Sequence, residues 1–196
     1  WDNMGSGNIE SRSSYYAKIS MLSYLARLNY SYKGKYLATV SARWDGSSKF
    51  AKDDRWGAFP SAALAWRITE EDLLKATKDW LYNLKLRLSY GVTGNNTGVG
   101  PYDTQSLANI KYYYNFGNTA ANGYGYELAN KLLTWEKTTE FNIGLDFGFI
   151  DNRISGSVDF YNKTSKDLLM ELKTPSEMGS ATGSIMSNVG KVRNRG

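Results

Sequence analysis

The sequence predicts an all-β protein, an antiparallel up-and-down meander of about seven strands in which each strand has one apolar and one polar face. Three observations carry this. Apolar side chains recur at every second position in one segment after another, bounded by turn residues. The connections between these segments alternate between short and long. No stretch approaches the roughly 18 consecutive apolar residues of a membrane-spanning helix. Even so, the chain is 14% aromatic, with 15 Tyr and 6 Trp, the amphipathic side chains that favour a boundary between a dry and a wet medium.

The segments follow in order. Residues 24–32 place Tyr24, Ala26, Leu28, Tyr30 and Tyr32 on one face, against Leu25, Arg27, Asn29 and Ser31. A turn at "KGK" (33–35) leads to Tyr36, Ala38, Val40, Ala42 and Trp44, against Leu37, Thr39, Ser41, Arg43 and Asp45. The loop 46–58 carries Lys49, Lys52, Asp53, Asp54 and Arg55, and alternation resumes with Pro60, Ala62, Leu64, Trp66 and Ile68 against Ser61, Ala63, Ala65 and Arg67. "TEEDLLKATKDW" (69–80) reads as a short helix with Thr69 and Asp72 in capping-box positions. Leu84, Leu86, Leu88 and Tyr90 then oppose Lys85, Arg87 and Ser89. After a glycine-bearing loop at 93–134, Phe141, Ile143, Leu145, Phe147 and Phe149 oppose Glu140, Asn142, Gly144, Asp146 and Gly148. Ile154, Val158 and Phe160 oppose Ser155, Ser157, Asp159, Tyr161 and Lys163, a long loop fills 164–187, and a seventh strand begins near Asn188.

In a meander, alternating connections fall on opposite ends, so the short ones gather at one end and the long ones at the other. Outer-membrane barrels have that asymmetry, with short periplasmic turns and long extracellular loops. On this reading the apolar faces meet lipid. A one-residue slip would turn Arg27, Arg43, Arg67 and Arg87 to lipid, at about 2 to 4 kcal/mol each near the midplane. Arg43, Arg67, Arg87, Glu140, Asp159 and Lys163 are therefore the expected lumen-facing polar residues. A two-residue turn at Asp151 and Asn152 fixes the last full hairpin, matching Leu145 with Val158, Ile143 with Phe160 and Glu140 with Lys163.

Composition narrows the chemistry. Cysteine and histidine are both absent, which removes Ser-His-Asp and Cys-His catalysis and the usual zinc sites. Lys plus Arg is 24 and Asp plus Glu is 19, but the excess is scattered rather than clustered as a nucleic-acid surface requires. "GVGPYD" and "GYGYEL" lack the third glycine and the strand-to-helix setting of a nucleotide fingerprint. Glu136 and Glu140 are about 13 Å apart on a strand, too far for a glycosidase pair at about 5 to 9.5 Å. No catalytic residue, metal or cofactor is expected. At the long-loop end Trp56, Phe59, Tyr112, Tyr113 and Tyr114 are rigid aromatics that either contact a substrate or protein partner or brace their own loops.

"YLARLNYSYKGKYLATVSARWDGSSKFAKDDRWGAFPSAALAWRI", "WLYNLKLRLSYGVTGNN" and "LTWEKTTEFNIGLDFGFIDNRISGSVDFYNKTSKDLL" resemble the barrel of SusC/RagA-type TonB-dependent transporters of Bacteroidetes, from about residue 23 to 191. The resemblance implies a barrel of roughly 22 strands whose lumen is plugged, and residues 1–196 as part of that barrel domain, with the plug and the remaining strands absent. It also implies an outer-membrane location, a SusD-like surface lipoprotein as lid, glycan or peptide cargo and energy from TonB through an N-terminal region. The alternative is a soluble β-sandwich or small barrel acting as a carbohydrate-binding module with the tyrosine-rich loop as its site. A module of that kind stays soluble without detergent, whereas a barrel piece aggregates.

Overall fold

The computed structural model describes residues 16–77, 80–116, 119–180 and 182–196. Its strands are β1 (Met21–Tyr32), β2 (Tyr36–Ser47), β3 (Trp56–Arg67), β4 (Leu81–Asn95), β5 (Ala108–Phe116), β6 (Thr119–Tyr126), β7 (Glu136–Phe149), β8 (Ile154–Lys166), β9 (Leu169–Lys173), β10 (Ser184–Asn188) and β11 (Lys191–Arg195). Seven of them form one antiparallel sheet in the order β1-β2-β3-β4-β7-β8-β11. The expected meander is this sheet. Hairpins β5-β6 and β9-β10 are separate two-stranded sheets on the long connections.

The turns explain the register. Between β7 and β8 the Arg153 N–H donates to the Ile150 carbonyl at 3.0 Å, and Asp151 and Asn152 hold φ of 51° and 64°. Positive φ at both central positions belongs to the primed turns whose twist suits a hairpin, and Asp and Asn tolerate it better than most residues. Leu145 pairs with Val158, Ile143 with Phe160 and Glu140 with Lys163, as the sequence predicts. At the other short hairpin Lys33 and Gly34 take φ of 51° and 66°.

Three expectations are corrected. The 69–80 segment is not an α-helix: among its described residues it forms two 3-10 turns, Ile68–Glu70 and Asp72–Thr77, while 78–79 lie outside the described residues. Thr69 is buried inside the first turn rather than capping, and Arg67 occupies the N-cap position with no side-chain cap. The segment is pinned at both ends, by Arg67 N–H to the Lys35 carbonyl at 2.8 Å and by Ile150 N–H to the Trp80 carbonyl at 2.9 Å. So short a span connects by tight turns more readily than by a cooperative helix. The 93–134 and 164–187 loops are also more ordered than expected, because β4 and β8 run on into them and each carries a hairpin. Asn188 ends β10, and the seventh sheet strand starts at Lys191.

Among the described residues no second layer covers the seven-stranded sheet. The buried cluster is small and lies at the long-connection end: Phe50, Phe59, Val99, Leu133 and Trp135. The apolar face instead carries two aromatic rows. At the short-turn end Tyr36 stacks on Tyr32 at 6.4 Å and on Trp66 at 6.3 Å, with Trp80 on Phe149 at 6.1 Å. At the long-loop end Tyr24 stacks on Trp56 at 5.9 Å and pairs with Trp44. Tyr36 and Trp44 bound a stretch of β2 about 26 Å long, or about 20 Å along a membrane normal at a tilt of roughly 40°, comparable with the apolar band of a membrane barrel.

Candidate functional site

The strand pairings place Arg43, Arg67, Arg87, Glu140, Asp159 and Lys163 on one face of the sheet. Its centre is an ion cluster. Arg87 Nε donates to Asp146 Oδ1 and Oδ2 at 3.1 and 3.0 Å, and Nη2 donates to Asp146 Oδ1 at 2.8 Å. The same Nη2 reaches Asp159 Oδ1 and Oδ2 at 3.1 and 3.2 Å, and Lys85 Nζ lies 3.9 Å from Asp146 Oδ2. Gly144 makes this possible, because it pairs with both Arg87 and Asp159. A Cβ there would lie 2.5 Å from Asp159 Oδ1 and 2.7 Å from Arg87 Nη2. Sequence reading put Asp146, Lys85 and Gly144 on the polar face but missed the cluster. The signal was the register, which sets Lys85 opposite Asp146 and Gly144 opposite Asp159.

On either side of this cluster the face opens into concavities. Glu140, Tyr161, Lys163, Ser165, Val192 and Asn194 line one of about 450 Å³. Arg67, Glu70, Asn83, Lys85 and Asp146 help line another of about 710 Å³ at the short-turn end. Both are wide, open and bordered by charged side chains. Among the described residues no group of His, Cys, Asp or Glu could hold a metal ion.

At the long-loop end, Arg43 Nε sits 2.7 Å from Asp45 Oδ2, and the Arg43 guanidinium lies 5.7 Å from the Phe59 ring centre. Asp45 is 0% exposed and, among the described residues, neither of its carboxylate oxygens accepts an aligned hydrogen bond, so the pair is an ionic contact. Of the aromatic candidates, Phe59 packs its own loops, one of the two roles expected of it. It is 5% exposed, packed edge-on against Trp135 at 5.4 Å over Gly57 and Gly94, where any Cβ would strike its ring. It braces the loops and is not free to meet a partner. Trp56 lies on the opposite, apolar face against Tyr24. Tyr112, Tyr113 and Tyr114 fall in β5, paired with Gly123, Asn122 and Ala121, and their side chains lie outside the described residues. Phe50, Leu133 and Trp135 were missed, although a phenylalanine at a polar-face position of β3 signalled a local core.

A second missed cluster sits at the short-turn end. Glu71 accepts hydrogen bonds from Tyr36 Oη at 2.7 Å, Trp66 Nε1 at 3.1 Å and Lys35 Nζ at 3.2 Å. The Tyr36 bond first, then those from Trp66 and Lys35, hold its carboxyl below the ordinary carboxylate value, against a smaller desolvation effect. The carboxylate ties the first short turn to the aromatic row.

A two-faced sheet with aromatic rows on its apolar side is the wall of a membrane barrel, and comparison with known proteins agrees. Residues 1–196 match the family model described as TonB dependent receptor-like, beta-barrel. The chain belongs to this family. TonB-dependent receptor SusC of Bacteroides thetaiotaomicron is 42% identical over 193 residues, covering 96% of this chain and 19% of that receptor. TonB-dependent receptor P39 of Formosa agariphila is 40% identical over 178 residues, covering 90% of this chain and 16% of the relative. Among solved structures, the RagAB peptide transporter superposes with a TM-score of 0.79 at 34% identity, over 91% of this chain and 19% of that one. The RagAB peptide importer in its open-open state gives 0.78 at 32% identity, over 98% and 21%. The sequence thus spans about a fifth of the length of these relatives. TonB-dependent receptors are outer-membrane β-barrels of Gram-negative bacteria and not enzymes, so this sheet is a SusC/RagA-like arc of outer-membrane wall.

Proposed function

We propose that this chain is part of the wall of an outer-membrane importer that takes up glycans or peptides, closed by a SusD-like surface lipoprotein and energised through TonB. The observation that carries the reading is the ion cluster of Arg87, Asp146 and Asp159 on the polar face, within a sheet that superposes on a peptide transporter at a TM-score of 0.79. Ion pairs of this density are costly against lipid and natural against a hydrated lumen. Arg43, Arg67, Arg87, Glu140, Asp159 and Lys163 then line the path. The neighbouring Ser, Thr and Asn side chains offer many weak hydrogen bonds, which let a polar cargo slide rather than lodge.

On this reading cargo and lid meet the chain at the long-connection end, where the β5-β6 hairpin carries Tyr112, Tyr113 and Tyr114 in its first strand and the β9-β10 hairpin stands beside it. The experiment is deletion of the complete receptor gene in its native bacterium, followed by growth on defined oligopeptides and oligosaccharides, with affinity purification of the tagged receptor. The expected result is loss of growth on one cargo class, restored by complementation, and co-purification of a surface lipoprotein. Unchanged growth on every oligomer, with no lipoprotein recovered, overturns the proposal.

A further inference from the structure

The apolar face stops being apolar at one corner. Lys137 on β7 pairs with Lys166 on β8, and Lys166 pairs with Lys191 on β11, so three lysines stand in one row across three adjacent strands. Arg193 and Arg195 continue down β11, opposite Thr164 and Asn162. Val192 and Asn194 line the polar concavity with Lys163 and Ser165, and strand alternation therefore turns Lys191, Arg193 and Arg195 to the other side. Lys137 and Lys166 share that side, because they alternate with Glu140's face in the same way. All five cations are exposed. Among the described residues none lies within ion-pair distance of a carboxylate.

Height gives the patch its meaning. On β7 the lipid-side aromatics end at Phe141, which pairs with Tyr90 on β4 and Asn162 on β8. Arg195 is level with that row, and Arg193, then Lys191 with Lys166 and Lys137, lie beyond it toward the long connections. The patch thus begins where the apolar band ends and the headgroup layer of the outer leaflet begins. Like charges directly opposite each other on neighbouring strands destabilise a sheet. A row of three lysines calls for a counter-anion, and lysine and arginine side chains extend readily from an apolar border into a headgroup layer. We propose that the outer surface of β7, β8 and β11 is a binding site for the phosphate groups of an anionic outer-leaflet glycolipid. Phosphate offers several charged acceptor oxygens to such a cluster, and a lipid brings it to this height with its acyl chains against Phe141, Ile143 and Phe160.

The test uses the complete receptor in neutral detergent, with thermal unfolding read as loss of heat-modifiable gel mobility. Mixed micelles with bisphosphorylated lipid A are expected to raise the unfolding temperature. Dephosphorylated lipid A, and inorganic phosphate at the same phosphate concentration, are expected to leave it unchanged. In Lys137→Gln/Lys166→Gln/Lys191→Gln the shift should be largely lost, and in the corresponding triple Arg variant retained. If the Gln variant does not insert, Arg193→Gln/Arg195→Gln is expected to lose the shift in the same way. An equal shift in wild type and the Gln variants, an equal shift with dephosphorylated lipid A, or a shift reproduced by inorganic phosphate overturns the proposal.

Discussion

Arg87 on β4 holds Asp146 on β7 through two nitrogens, at 2.8 to 3.1 Å, and the same guanidinium reaches Asp159 on β8. One cation therefore bridges two carboxylates on two successive strands. The three side chains are 34%, 26% and 35% exposed, so water screens part of the interaction. Arg87→Ala is expected to destabilise the complete barrel by about 1 to 2 kcal/mol, at the lower end for bonds to charged groups. Much of that loss is repulsion between the carboxylates left behind. Asp146→Asn/Asp159→Asn in the Arg87→Ala background should recover part of it, measured by urea unfolding. A triple variant no more stable than the single one would show that repulsion is not the cause.

Acid stability should follow Glu71. Its carboxyl is held below the ordinary value of 4.5, chiefly by the Tyr36 hydroxyl, with Trp66 and Lys35 behind it. A carboxyl with a lower pKa in the folded state makes the unfolded chain bind more protons. The contribution is thus fully present above about pH 4.5 and is lost as pH falls through the folded value. Glu71→Gln is expected to lower the unfolding temperature at neutral pH and to converge with wild type as pH falls below the folded value. The measurement is unfolding temperature against pH for both proteins, and two parallel curves would contradict it.

These two clusters show how far the sequence was legible. Strict period-two alternation revealed the six long sheet strands and their faces, because each long strand divides two unlike media and any slip would expose arginine to lipid. The Asp151-Asn152 turn revealed a register because both residues accept positive φ. The β5-β6 and β9-β10 hairpins were illegible for the converse reason: their segments lack sustained alternation, so nothing in their pattern distinguished strand from loop. Glu71 was invisible because its partners come from Lys35 and Tyr36 on a different turn, meeting only once β2 and β3 pair. Trp56 and Phe59, three positions apart, looked like neighbours in a binding site, and the pleat sends them to opposite faces.

Phe59 should govern order at the long-connection end. Its ring fills the space above Gly57 and Gly94 and supports Trp135, whose Nε1 donates to the Arg55 carbonyl at 3.2 Å. Phe59→Ala removes the centre of that small core, at a cost of about 3 to 5 kcal/mol for a buried phenylalanine. The loss falls on the loops, because the main ladder needs no contact with the ring. Limited proteolysis of whole cells is expected to cut within 48–55 or 96–135 in the variant much faster than in wild type, with heat-modifiable mobility kept. Equal cutting rates would mean that the cluster does not hold the loops.

The β5-β6 hairpin can be removed without disturbing the wall. The Glu127 N–H donates to the Leu107 carbonyl at 2.8 Å, so the ends of segment 108–126 already lie one hydrogen bond apart and a short Gly-Ser link can join them. Below that point β4 and β7 pair with each other along nearly their whole length, from Asn95 opposite Glu136 to Leu81 opposite Phe149. The ladder therefore does not depend on the hairpin. In the complete receptor, deletion of 108–126 is expected to leave the barrel inserted and heat-modifiable. Cargo uptake or lipoprotein capture should fall at least tenfold, on the order of the loss of one or two contact residues worth about 1.4 kcal/mol or more. Uptake, lipoprotein pull-down and gel mobility are measured on the same strain. Normal uptake with normal capture would make Tyr112, Tyr113 and Tyr114 braces of their own hairpin, and loss of the folded barrel would mean that β4 and β7 need the hairpin to find their register.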